Sequence, residues 1–184
     1  MNKVEFIRQM SNMERRGVSV WALRDLEKIF PEERGKAMEK SLQRLVLNGL
    51  LVKAARGIYV YALASPEHQQ WRIEEVARAL RPGKLCYVSL ESMLSEYGVI
   101  SQIPVSHFTV MTNGAGGLHE TPFGVIEFTH TERSVPSILD RTIFVEGRPL
   151  RIAKKWAAVQ DLRRVGRNVN MIDTDELMDF EDAS

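Results

Sequence analysis

Residues 33–61 read ERGKAMEKSLQRLVLNGLLVKAARGIYVY. Met38, Leu42, Leu45 and Val46 stand at i, i+4, i+7 and i+8, the spacing that lines one face of an α-helix, and predict a helix from about Glu33 to Asn48. Gly49 sits where a helix needs a left-handed residue to end. Beyond it, Leu50–Lys53 and Ile58–Tyr61 form two short apolar runs joined by Ala54-Ala55-Arg56-Gly57, which predicts a hairpin turning on its glycine. At ~100° per residue, Lys36, Lys40, Gln43 and Arg44 fall opposite the apolar stripe.

Working outward, residues 3–14 place Phe6, Ile7, Met10 and Met13 on one helical face, and Gly17 ends that helix. Ser19 is the expected N-cap of a second helix, Val20 to Phe30, which buries Trp21 or Ala22 with Leu23, Leu26 and Phe30 before Pro31 stops it. Three helices followed by a hairpin with a basic tip predict a winged helix-turn-helix. The third helix then serves as recognition helix. Lys36, Lys40, Gln43 and Arg44 face the major groove of double-stranded DNA, with Lys53 and Arg56 on the wing. A solvated helix face and a charged edge strand are the plainer readings of each feature taken singly. Charge favours the first: residues 1–63 carry twelve Lys+Arg against seven Asp+Glu, a balance of +5, whereas the whole chain is +1.

Ser65-Pro66 breaks the last strand-like run, so the expected domains are residues 1–64 and 65–184. The second reads as α+β, which makes the fold class α+β overall, a winged helix-turn-helix followed by a mixed α+β domain. An amphipathic helix runs from Pro66 to Leu80. A strand, Leu85–Val88, passes through Ser89 as N-cap into a helix, Leu90–Tyr97. Strands at Ser106–Thr112 and Phe123–Thr129 flank a flexible Asn113–Gly117 connection, and a hairpin, Thr142–Val145 with Arg148–Ile152, turns at Glu146-Gly147. A helix from about Ala153 to Val165 and a short acidic one near Asp175–Phe180 close the chain. No apolar run approaches the ~20 residues of a membrane span, and the amphipathic start lacks a signal-peptide core. Cys86, the only cysteine, reads as a buried strand thiol in a reducing cytoplasm.

Residue patterns for catalysis are sparse. His68, His107, His119 and His130 share no metal-ligand spacing, and His107 and His130 read as hydrogen-bonded strand residues. The Gly114–Gly117 run lacks the Gly-Lys-Ser/Thr of a phosphate loop, and no Gly-Xaa-Ser-Xaa-Gly elbow occurs. Asp140 and Glu146 are the carboxylates that a metal-dependent nuclease would use, but Glu146 occupies a turn and no Glu-Xaa-Lys follows. The reading is therefore a non-enzyme without cofactor or metal. The six acids of Asp173–Ser184 read as a solvated terminus, with competition for a basic surface as the alternative.

The run Lys84–Pro104, KLCYVSLESMLSEYGVISQIP, resembles the AbiEi family of antitoxins, the regulatory half of type IV toxin–antitoxin and abortive-infection systems. The strand, the Ser89–Ser92 helix start, the Leu94–Gly98 turn and the Gln102-Ile103-Pro104 exit carry the likeness. Arg24-Asp25-Leu26, Leu42 with Leu45, and Arg56–Val60 add to it, so it spans roughly residues 3–152. Where family members open the next helix with a Thr-Pro-Glu-like start, this chain has Lys154-Lys155-Trp156. The resemblance implies a phage-defence antitoxin and transcriptional repressor that binds inverted repeats in its own promoter and neutralises a nucleotidyltransferase-like toxin. It acts as a monomer or an oligomer assembled on DNA, away from membranes. A protein-interaction module without DNA binding is the alternative from another class, and a DNA-processing enzyme the third.

Overall fold

The structure, a computed structural model, describes residues 1–66, 69–100 and 107–172. His68, the Gln102–Pro104 exit, Ser106, the acidic terminus and its short helix lie outside the described residues. The fold is mixed α+β and divides into two compact units: Met1–Leu80 with Thr121–Phe123, and the described residues of Arg81–Glu120 and Gly124–Ser184.

The first unit contains α1 (Lys3–Glu14), β1 (Val20–Ala22), α2 (Leu23–Ile29), α3 (Lys36–Leu47), β2 (Leu51–Ala55), β3 (Ile58–Tyr61) and α4 (Arg72–Leu80). Its core gathers Phe6 and Met10 of α1, Leu26 of α2, Met38, Leu42 and Leu45 of α3, and Leu51 and Tyr61 of the sheet. Phe6 stacks on Phe30 at 5.9 Å between ring centroids and meets Tyr61 edge-on at 6.3 Å, the geometries that aromatic quadrupoles favour.

The expected helix from Val20 to Phe30 starts late. Val20, Trp21 and Ala22 instead pair antiparallel with Val60, Tyr59 and Ile58, giving a three-stranded sheet in the order β1-β3-β2. A free strand flank on β3 satisfies these backbone groups, and Val and Trp suit a pleated surface better than a first helical turn. Ser19 consequently caps nothing. It is buried, and its Oγ donates to Glu75 Oε2 of α4 at 2.7 Å. That bond, and the packing of α4 on β1, place α4 in the first unit, so the compact division falls after Leu80 and not at the composition change near Pro66.

The second unit carries β4 (Cys86–Val88), α5 (Leu90–Glu96), β5 (His107–Thr112), β6 (Gly117–Thr121), β7 (Gly124–His130), α6 (Val135–Arg141), β8 (Thr142–Ile143), β9 (Arg151–Ala153) and α7 (Lys155–Val165). Six strands lie in the order β6-β7-β5-β4-β9-β8, with β5–β7 and β4–β9 parallel and β4–β5 and β8–β9 antiparallel. The supposed loop at Asn113–Gly117 is a turn into β6, and α6 fills a stretch in which sequence showed no element. Ser89 stands at the N-terminus of α5, but its hydroxyl does not cap that helix. It donates to Asp161 Oδ2 of α7 at 2.8 Å.

Asp161 is fully buried and joins the layers. Oδ2 also accepts from Tyr87 Oη at 3.1 Å, while Oδ1 pairs with Arg133 at 2.6 Å and Arg141 at 3.2 Å. The same burial, together with the Asp161 charge, pushes the Tyr87 phenol well above its ordinary range. Cys86 is buried as expected, and burial raises its thiol too. On the β6–β7 side, Arg81 lies over the Phe128 ring at 4.0 Å and its Nη2 donates to His119 Nε2 at 3.1 Å. His130 Nδ1 contacts the Gly114 carbonyl at 2.7 Å, so its hydrogen-bonded reading holds.

Replacing Asp161 with Ala strands Arg133 and Arg141 as unpaired, mostly buried cations; a loss of about 3–5 kcal/mol is expected in the urea unfolding of the second unit. Desolvation, then the Arg81 charge, lowers the His119 pKa below its ordinary 6.5. A depressed folded value means that the unfolded chain takes the proton first. This contribution to stability is whole above pH 6.5 and is lost as pH falls through the folded pKa. An NMR titration of His119 should show a midpoint under 6.5, and His119→Gln should flatten the stability profile in that window.

Candidate nucleic-acid interface

Helix α3 owes its orientation to its buried side. Met38, Ser41, Leu42 and Leu45 point into the core, which forces the remaining faces outward. The helix ends in a Schellman arrangement: Leu50 N–H reaches the Leu45 carbonyl at 3.0 Å and Gly49 N–H reaches that of Val46 at 3.0 Å. Gly49, at φ +68°, is the left-handed residue that this ending requires. The chain then reverses directly into β2, so the helix and the hairpin lie side by side.

All six residues that sequence singled out are exposed. Lys36, Lys40 and Gln43 share the outer face of α3. A groove of about 810 Å³ runs between this helix and the hairpin, and Gln43, Lys53 and Arg56 all line it. Arg44 departs from the group. It is exposed one turn on from Lys40 but does not line the groove, and its Nη2 donates to the Met1 carbonyl at 3.1 Å.

Three residues outside the six expected at the interface also belong here. Glu39, Leu47 and Tyr59 line the groove, and Leu47 is 88% exposed. Tyr59 has its phenol raised by burial and then by the Glu39 charge, which places that carboxylate beside the hairpin. Helical spacing would have found Glu39 and Leu47, since both lie off the buried stripe.

The hairpin is short. Ala55 pairs with Ile58 across Arg56-Gly57, and the register slips between Lys53 and Ala55, so Ala54 bulges inward and is buried. The Gly57 carbonyl accepts from Leu23 N–H, the first residue of α2, at 2.7 Å, which fastens the tip to the helical layer. Arg56 therefore projects from an anchored tip.

In the second unit, a smaller cavity of about 340 Å³ is lined by Glu91, His107, Thr109, Glu127 and Arg167, among others. Arg167 fills the charge balance there, donating to both oxygens of Glu91 and pairing with Glu127. Asp140 and Glu146, the carboxylates weighed for a nuclease, lie exposed on α6 and between β8 and β9. Among the described residues, no group of three or more His, Cys, Asp or Glu could hold a metal ion. None of their helices is long and apolar enough to cross a membrane.

No family model, curated protein or solved structure matches the chain.

Gly57 sits at φ +73° with its nearest neighbour, Leu23 Cβ, 3.9 Å from an added Cβ, so substitution meets backbone strain and no clash. Gly57→Ala should cost about 1–2 kcal/mol, and hydrogen exchange should show it first at the Leu23 amide that binds the tip.

Proposed function

We propose that the chain is an antitoxin and transcriptional autorepressor whose first unit is a winged helix-turn-helix. One observation carries the DNA-binding half: Lys36, Lys40 and Gln43 stand together in solvent on α3, across a groove from Lys53 and Arg56. Lys53 and Arg56 in the groove and Lys36 and Lys40 on the exposed side of α3 together attract a polyanion, and an α-helix is the element that a major groove admits. Gln43 supplies the paired donor and acceptor of base readout, Lys36 and Lys40 neutralise phosphates, and Arg56 follows the backbone from the hairpin tip. Arg44 serves as a flank contact in this reading and not as a reader.

The antitoxin half is supported by the likeness of Lys84–Pro104 to AbiEi proteins. On that reading the protein works in the cytoplasm, binds inverted repeats in its own promoter and opposes a nucleotidyltransferase-like toxin through its second unit. It needs no cofactor and performs no catalysis. Expression of a neighbouring toxin-like gene with and without this chain tests that half, growth rescue being expected.

Leu47 favours a second reading. An 88% exposed leucine beside Val46 and Leu23 gives the groove an apolar lip, suited to a protein partner. Salt separates the two. Affinity for duplex upstream DNA should fall steeply between about 50 and 200 mM salt if several phosphates are neutralised, whereas an apolar interface responds little. In mobility-shift titrations, Lys40→Ala should weaken all duplexes alike and shallow the salt slope by about one. Gln43→Ala should cost about 1–3 kcal/mol on the operator alone, and Arg44→Ala should cost less than either. Equal, salt-insensitive binding by all three would remove the DNA reading.

A further inference from the structure

We infer that Glu39 and Gln43 act as a base-reading pair that fixes a cytosine and an adenine at neighbouring positions of each operator half-site. The inference rests on the DNA-binding reading above and names what that interface selects. Both side chains line the groove between α3 and the hairpin, and both are exposed. They stand one helical turn apart, about 6 Å of rise, against ~3.4 Å per base pair, so they address edges one to two steps apart.

A carboxylate on a surface that approaches DNA faces phosphate repulsion, and its position among cations needs a reason. Lys53 and Arg56 line the same groove as Glu39, leaving its lining net positive around one acid. In the major groove a carboxylate finds its natural partner in the N4 amino group of cytosine. Guanine and thymine present carbonyl acceptors there, and a carboxylate against an acceptor is repelled. Glu39 therefore selects by rejection as much as by attraction. Gln43 complements it, since a carboxamide matches the N7 acceptor and N6 donor of adenine.

Glu39 also lies in the first turn of α3, where an acid stabilises the helix dipole. That role and base reading predict different outcomes. The test is selection from a randomised duplex pool by the full chain and by Glu39→Gln, Glu39→Ala and Gln43→Ala, each checked for an unchanged circular-dichroism spectrum. The wild-type pool should enrich a half-site holding cytosine and adenine one to two steps apart. Glu39→Gln and Glu39→Ala should lose the cytosine preference by about 5- to 150-fold, yet bind mixed-sequence duplex more tightly because a negative charge has gone. Gln43→Ala should lose only the adenine. If both Glu39 variants keep every base preference and merely melt earlier, Glu39 is a helix-stabilising acid and the inference fails while DNA binding stands. If the wild-type chain enriches no sequence, the inference falls together with the DNA reading.

Discussion

The buried stripe of α3 is the constraint from which the first unit follows. Met38, Ser41, Leu42 and Leu45 are held in one core with Phe6, Leu26 and Tyr61, so the helix has a single rotational setting about its axis. Burial of three large apolar side chains, at roughly 1.5–3 kcal/mol each, outweighs what any surface contact of Lys36, Lys40 or Gln43 contributes. The outward display of these polar groups is thus a consequence of packing. A rotation by one residue would drown Gln43 and expose Met38 or Leu42.

Backbone pairing fixes what packing alone leaves loose. Strand β1 borrows three residues from the expected second helix and adds them to β3, and the Leu23–Gly57 hydrogen bond then ties the hairpin tip to the helical layer. A two-stranded ribbon is marginal by itself, whereas a third strand gives it a packed face. Lys53 and Arg56 are held at a set distance from α3 for this reason, and the groove between them has a shape.

The second unit solves a different problem. Its sheet carries short strands, and a buried carboxylate on α7 gathers groups from β4, from the turn into α5, from Arg133 before α6 and from Arg141 at its end. Breaking such a network leaves charges with no solvent to fall back on, so it specifies one arrangement of these elements more than it adds net stability. Serine at position 89 shows how a distant partner overrides a local preference. By rule it caps a helix; here a distant aspartate offers its hydroxyl a stronger, charged acceptor.

The sequence by itself determined the features with short range and strong periodicity: α1, α3, the hairpin, the buried Cys86 and the segregation of positive charge into residues 1–63. Each depends on neighbours three or four positions away, or on one glycine, and such signals survive without knowledge of the rest of the chain. Only the tertiary structure decided that Val20–Ala22 is a strand, that α4 packs with the first unit, that Arg44 bonds the Met1 carbonyl and that Glu39 and Leu47 join the groove. These turn on partners far along the chain. A backbone edge on β3, a carboxylate at Glu75 or a hairpin beside α3 acts through space, and no local pattern encodes where such a partner will stand.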